Sequence, residues 1–147
     1  MTRRQMGLLL TVLLERADAE GQGAHPQDGG PALEGKIYEV DKLQWRASTN
    51  SPTRRKNLFN GFTTRGQRLT MHISELSPGQ RPHPAVRQPH EEILLVQHGT
   101  LECTINGQTA TLQPGDVVYS AYNDLKDWKN VGSTPAVYYV ISLEEHR

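Results

Sequence analysis

Alternating apolar and polar residues predict that the chain from about Leu33 onward is built of β-strands, because successive side chains of a strand point to opposite faces of its sheet. The clearest run is residues 67–76, in which Leu69, Met71 and Ile73 share one face. Other predicted strands cover residues 36–40, 43–46, 57–63 (two strands around an Asn60-Gly61 turn), 117–119, 126–131 and 136–143. No stretch beyond Leu33 shows helical periodicity, so an all-β domain is expected.

The pair Asn106-Gly107 predicts a tight hairpin, since these residues readily adopt the left-handed backbone of a two-residue turn. The alternating apolar residues on either side of the turn predict the register of its strands. In that register Ile105 pairs with Gln108, Cys103 with Ala110 and Leu101 with Leu112. Cys103 is the only cysteine, so no internal disulfide can form, and it is expected to be a small buried apolar residue.

A continuous apolar run at residues 93–96 predicts a strand covered on both faces, as when a barrel strand also meets a partner subunit. A loop rich in proline and histidine precedes this strand, and the carboxylates Glu91 and Glu92 stand at the junction. Gly99 ends the strand in a tight turn. We expect the chemistry of the protein where this loop meets this strand.

The N-terminus resembles an export signal peptide. Paired arginines at residues 3–4 precede an apolar run at residues 6–14, and Ala17-Asp18-Ala19 follows as a possible cleavage site. Residues 1–19 are therefore a possible signal peptide, residues 20–32 a flexible linker and residues 33–147 the folded domain. This order indicates a periplasmic or secreted protein. The alternative is a cytoplasmic protein in which a short amphipathic helix remains attached and packs on the domain.

Composition limits the partners that the protein can have. The chain has 147 residues, enough for one domain with a real core. Its 16 basic and 16 acidic residues balance, so no overall field attracts nucleic acid or an anionic membrane. We therefore expect neither a nucleic acid nor a membrane as partner.

The order of glycines, acid and amide along the second half of the chain resembles the cupin family. Gly79, Glu92 and Gly99 match its first motif, with the family spacing between the last two, and Gly115 and Asn130 match its second. The resemblance covers residues 79–142. It implies a double-stranded β-helix, which is a jelly-roll barrel, and a homodimer, because small cupins are often dimeric.

The same alignment implies that the family's metal site is degenerate. Cupins usually hold a metal with three histidines and a glutamate, but the histidine positions are occupied here by Val86, Gln88 and Lys126. Only Glu92 remains. A buried carboxylate is costly unless something compensates its charge, so we expect Lys126, or failing that Arg87, to pair with it.

Two functions from different classes follow. The first is a degenerate cupin that binds a small polar molecule in the barrel without a cofactor; its predicted pocket residues are Glu92, Lys126, Gln88, Arg87, His72 and Tyr119. His72 lines the barrel if the cavity is polar and faces solvent otherwise.

The second function is that of a metal-dependent cupin enzyme, an isomerase, dioxygenase or hydrolase, that binds a divalent metal ion at a displaced site of His83, His90 and Glu92. A third reading treats the barrel as a structural scaffold. The sequence leaves open whether the protein is an enzyme.

Overall fold

The computed structural model describes residues 30–145, so the predicted signal peptide and residues 20–29 of the predicted linker lie outside it. The described chain forms one 3-10 helix, Val40–Lys42, and ten strands. The strands are β1 (Arg46–Ala47), β2 (Thr53–Phe62), β3 (Arg68–Leu76), β4 (Val86–Arg87), β5 (Glu91–His98), β6 (Leu101–Ile105), β7 (Gln108–Leu112), β8 (Val117–Ser120), β9 (Leu125–Asn130) and β10 (Ala136–Glu144). Across residues 30–145, no helix has the length and apolar character that crossing a membrane requires.

Two antiparallel sheets make up the fold. The larger has the strand order β1-β2-β3-β10-β5-β8 and the smaller β4-β9-β6-β7. Their inner faces share one core, to which the larger sheet contributes Leu94 and Tyr138 and the smaller sheet Leu101 and Trp128. The all-β prediction is confirmed, and the two facing sheets form the jelly-roll barrel that the family resemblance implies.

The predicted hairpin is confirmed with its register. Ile105 pairs with Gln108, Cys103 with Ala110 and Leu101 with Leu112. Both turn residues have left-handed backbones, with φ of 49° at Asn106 and 84° at Gly107. Cys103 is buried as expected, and burial raises the pKa of its thiol to about 11.

The strand predicted over residues 36–40 is wrong. No strand forms there, and Ile37, whose alternation suggested a buried face, is 88% exposed. The segment lies beside β2 without extending its sheet. Lys56 Nζ on β2 donates a hydrogen bond to the Val40 carbonyl oxygen at 2.9 Å.

The predicted turn at Asn60-Gly61 is also wrong, because β2 runs through it without interruption. The glycine is explained by crowding. A Cβ atom on Gly61 would lie 2.4 Å from the carbonyl oxygen of Pro31. Residues 31 and 33 hydrogen-bond to the backbone of Phe62, so only a residue without a side chain leaves room for that approach.

The apolar run in β5 is covered on one face within the single chain. Leu94 and Val96 are buried in the core, whereas Ile93 on the other face is 39% exposed. Its cross-strand neighbour on β8, Tyr119, is 57% exposed. Cover on the second face depends on a partner subunit and stays a prediction.

Candidate functional site

A polar cavity of about 170 Å³ lies between the two sheets. Inward-facing positions of β2, β3, β5 and β10 line one side of it, Trp128 on β9 lines the other, and residues of the loop before β5 complete the lining. The lining residues are Arg55, His72, Ser74, Pro82, His83, Gln88, His90, Glu92, Trp128, Tyr138, Val140 and Ser142. Of the six residues that the sequence assigns to the pocket, Glu92, Gln88 and His72 line this cavity.

Glu92 and Lys126 form a buried ion pair behind the cavity wall. Glu92 Oε1 lies 2.8 Å from Lys126 Nζ, and the two residues are 7% and 2% exposed. Lys126 Nζ also donates to the Ser120 hydroxyl at 3.3 Å. Lys126 lines a separate small void of about 10 Å³, not the larger cavity, and Glu92 borders both spaces. Of the pair expected from the sequence, Glu92 therefore forms part of the cavity wall and Lys126 lies behind it.

The second oxygen of Glu92 faces the cavity and has its own donors. His90 Nε2 and the Ser142 hydroxyl each lie 3.4 Å from Oε2. Burial acts to raise the pKa of Glu92, but hydrogen bonds from His90 and Lys126 together outweigh it, so the pKa lies below its ordinary value. Glu92 is consequently an ionised carboxylate at neutral pH.

The side chains at the family's metal positions do not fit a divalent cation. The Lys126 ammonium holds Glu92 Oε1, the one remaining acidic donor, and would repel a metal ion placed beside it. The amide of Gln88 is a weak neutral donor. On the described part of the chain, no three His, Cys, Asp or Glu side chains are grouped so that they could hold a metal ion.

The displaced metal site is not assembled in the structure. His90 lies beside Glu92, but the ring of His83 packs edge-on against Trp128 with 5.0 Å between ring centroids. His83 Nδ1 lies 2.8 Å from the carbonyl oxygen of Pro84. Both histidines line the cavity, and only His90 makes contact with the carboxylate.

Arg87 and Tyr119, which the sequence also assigns to the pocket, do not line this cavity. Arg87 is exposed, and its guanidinium donates to the Asn123 carbonyl oxygen at 2.8 Å. Tyr119 lies on the outer face of β8, where its hydroxyl donates to Glu91 Oε1 at 3.0 Å. Side chains alternate along a strand, so Glu91 and Glu92 point to opposite faces and Tyr119 follows the outward one.

His72 faces the cavity rather than solvent. Burial, reinforced by the positive charge of Arg55, lowers the pKa of His72 to about 4. The imidazole is therefore neutral at physiological pH and offers one hydrogen-bond donor and one acceptor.

Sequence reasoning missed Arg55, Ser74 and Ser142 as lining residues. Arg55 stands within a run of three basic residues, which reads as a solvated surface. The signal that could have found it is the pairing of β2 with β3, in which Arg55 lies opposite Ser74. Finding it required starting β2 at Thr53 instead of Asn57.

Two buried polar atoms of the cavity lining have no hydrogen-bond partner among the described residues. They are Arg55 Nε, a donor, and Gln88 Oε1, an acceptor. Buried polar groups in folded proteins are normally hydrogen-bonded to protein, water or ligand. A polar ligand in the cavity would form hydrogen bonds with these unpaired donor and acceptor atoms.

Comparisons with known proteins agree with this fold. The family model described as cupin domain matches residues 72–142. Residues 72–142 therefore belong to the cupin family, and residues 30–145 have the fold of a cupin barrel. Among curated proteins, none is similar enough in sequence to count as a match.

Solved structures with the same fold are distant in sequence. The Cnp3 cupin domain of Schizosaccharomyces pombe has a TM-score of 0.62 and 14% identity, with 74% of each chain covered. A predicted oxalate decarboxylase from Thermotoga maritima has a TM-score of 0.63 and 13% identity, covering 75% of this chain and all 100% of that one. A sugar phosphate isomerase of the cupin superfamily from Silicibacter pomeroyi has a TM-score of 0.61 and 13% identity, covering 75% and 76%. At these identities the likeness concerns the fold alone.

Proposed function

We propose that this cupin binds a small polar molecule in the cavity between its sheets and does so without the family metal. The observation that carries the proposal is the contact between Lys126 Nζ and Glu92 Oε1 at 2.8 Å. The ammonium of Lys126, which is part of the chain, neutralises the Glu92 carboxylate that would otherwise bind a metal ion. The remaining cavity is polar, of small-molecule size, and bordered by unpaired hydrogen-bonding atoms.

Metal analysis of the purified protein tests the first half of the proposal. Mass spectrometry of protein prepared without chelators should find well below one transition metal per chain. The triple variant Val86→His/Gln88→His/Lys126→His serves as the positive control, because residues 86 and 126 lie opposite each other on β4 and β9. That variant should gain bound metal. Stoichiometric metal in the unmodified protein would overturn the proposal.

Ligand-dependent thermal stability tests the second half. A ligand that binds only the folded state must raise the melting temperature by mass action. A panel of small acids, polyols and sugars should include compounds that do so. The variant Val140→Phe, which fills the cavity, should abolish the shift, whereas Val137→Phe on the same strand but outside the cavity lining should keep it. No shift with any compound, or equal shifts in both variants, contradicts a binding role for the cavity.

The alternative is a metal-dependent cupin enzyme, an isomerase, dioxygenase or hydrolase. The contact of His90 with Glu92 at 3.4 Å favours it, since an imidazole and a carboxylate already converge there. One of the similar structures is named a predicted oxalate decarboxylase and another a sugar phosphate isomerase. The metal analysis separates the alternatives, because this enzyme needs bound metal and the proposed binder does not.

A further inference from the structure

We propose that the molecule bound in the cavity is a small carboxylic acid whose carboxylate is held by the Arg55 guanidinium and whose hydroxyl or amino group donates to Gln88. This inference rests on the proposed binding function and names its ligand class.

The charges around the cavity do not balance. Glu92 is neutralised by Lys126 at 2.8 Å. Arg55 also lines the cavity, and among residues 30–145 no carboxylate lies within ion-pair distance of it. An arginine side chain stays protonated in proteins, so the cavity carries one positive charge without a counter-charge. An anionic ligand would supply the missing counter-charge.

The adjacent arginine on β2 shows what a satisfied guanidinium looks like in this fold. Arg54 points to the other face of the strand and donates from Nε and Nη2 to Glu75 Oε1 at 2.9 and 2.6 Å. On Arg55 the Nε donor is buried and unpaired. The planar fork of a guanidinium suits the two oxygens of a carboxylate. A ligand carboxylate would therefore give Arg55 the kind of partner that Glu75 gives Arg54.

Gln88 adds a second requirement. Its Oε1 atom is buried, lines the same cavity and accepts no hydrogen bond from the described chain. A carboxylate cannot donate to it, so the ligand needs an O–H or N–H group elsewhere. A hydroxy acid or an amino acid has both functions.

The size of the cavity limits the ligand to a small molecule. A volume of about 170 Å³ is several times the roughly 30 Å³ share of a liquid water molecule. It is smaller than the roughly 300 Å³ at which drug-sized pockets begin. An acid of a few carbon atoms fits these limits.

Titration of the full chain with lactate and with lactamide tests the inference, because the two probes differ by the charge of the carboxylate while sharing the hydroxyl group. Glycolate, pyruvate, malonate and inorganic phosphate complete the panel. Calorimetry and melting temperature should show binding of one or more of the hydroxy acids and at least tenfold weaker binding of lactamide. Phosphate should bind more weakly than the acids, because Arg55 is the one unpaired cation of the cavity lining described here.

Variants at the two neighbouring arginines make the test specific. Arg55→Gln should weaken acid binding about 10- to 100-fold, as loss of charge-assisted hydrogen bonds predicts. The ligand-free melting temperature of that variant should stay the same or rise, since it removes an unpaired charge. Arg55→Lys should recover part of the affinity, and Arg54→Gln should leave it unchanged.

The outcomes separate this inference from the function beneath it. If neutral polyols or sugars bind and Val140→Phe blocks them while the acids do nothing, the ligand class is wrong and the binding function stands. Equal binding of lactate and lactamide, or full acid binding by Arg55→Gln, also overturns the inference. If neither acids nor neutral compounds bind, both proposals fail.

Discussion

At position 92 the chain keeps an acid and surrounds it with groups that stabilise its charged form. Lys126 takes one oxygen, and His90 and Ser142 approach the other. A buried ion pair of this kind is tolerated because both charges are present and compensate each other. Removing one partner leaves an uncompensated charge, which costs about 3–5 kcal/mol, whereas replacing both by apolar groups is often neutral.

Lys126→Met should therefore lower the free energy of unfolding by about 3 kcal/mol. The double variant Lys126→Met/Glu92→Leu should recover most of that loss, because no charge is then left unpaired. Urea denaturation measures both. Lys129→Met, on the same strand but facing the other way, is the control and should change stability by less than about 0.5 kcal/mol. A double variant no more stable than the single one would show that the pair is not the cause.

His72 should make the protein less stable in mild acid. Its pKa is lowered from 6.5 to about 4 by burial and by Arg55, while Glu92 opposes the shift. The unfolded chain therefore takes up this proton near pH 6.5 and the folded chain only near pH 4. The resulting stability is complete above pH 6.5 and is lost as pH falls toward 4.

The variant His72→Gln isolates this effect. One pH unit corresponds to about 1.4 kcal/mol, so the loss attributable to His72 is at most about 3 kcal/mol by pH 4. Urea denaturation at several pH values between 7 and 4.5 should give a flatter pH dependence for the variant than for the unmodified protein. The same slope in both would assign the acid sensitivity to other groups.

At the scale of the strand, prediction from sequence succeeded where local chemistry determines the outcome. The Asn106-Gly107 hairpin followed from its turn residues and its alternating strands. Residues 36–40 alternate equally well but have no strand to pair with, and alternation alone cannot reveal that. Position 61 needs a glycine because Pro31 approaches its backbone closely, and this contact joins segments that are distant in sequence.

The residues of the candidate site likewise divide into those that the sequence could locate and those that it could not. Family spacing located Glu92 and Lys126, because the position of each in the motif can be counted along the chain. Arg55 could not be found by counting, since it enters the cavity through the pairing of β2 with β3. Arg87 and Tyr119 lie outside the cavity, and alternation along a strand does not by itself tell which of its two faces points inward.

Gly61→Ala should destabilise the protein by about 1–3 kcal/mol, the usual cost of forcing atoms into a packed space. Its new Cβ atom would lie 2.4 Å from the Pro31 carbonyl oxygen. Gly35→Ala is the matched control, because no atom lies within 4 Å of its added Cβ. Thermal or urea unfolding compares the two. Equal stabilities would mean that residues 31–33 move aside at no cost.

At the scale of the whole molecule, the outer face of β5 and β8 is the surface where we propose that two copies of the chain associate. Ile93, Tyr119 and Val117 are 39%, 57% and 59% exposed there. These residues adjoin one another, since Ile93 pairs with Tyr119 and Leu95 with Val117 across the two strands. A group of exposed apolar side chains on a sheet face is typical of an interface.

Sedimentation velocity at micromolar concentration should detect a homodimer. Ile93→Glu should weaken dimerisation more than tenfold, because it places a charge in the interface. Ile37→Glu is the control: Ile37 is more exposed, at 88%, but lies outside this face, so the variant should dimerise normally. A monomeric unmodified protein, or equal weakening in both variants, contradicts the proposed surface.

The amine that faces Glu92 is tethered to the polypeptide by its own carbon chain. A chelator cannot strip it away, and a competing ion cannot exchange with it. The polarity of the neighbouring cavity should therefore be the same whether metal ions are scarce or abundant. Ligand binding there should not depend on the concentration of divalent ions.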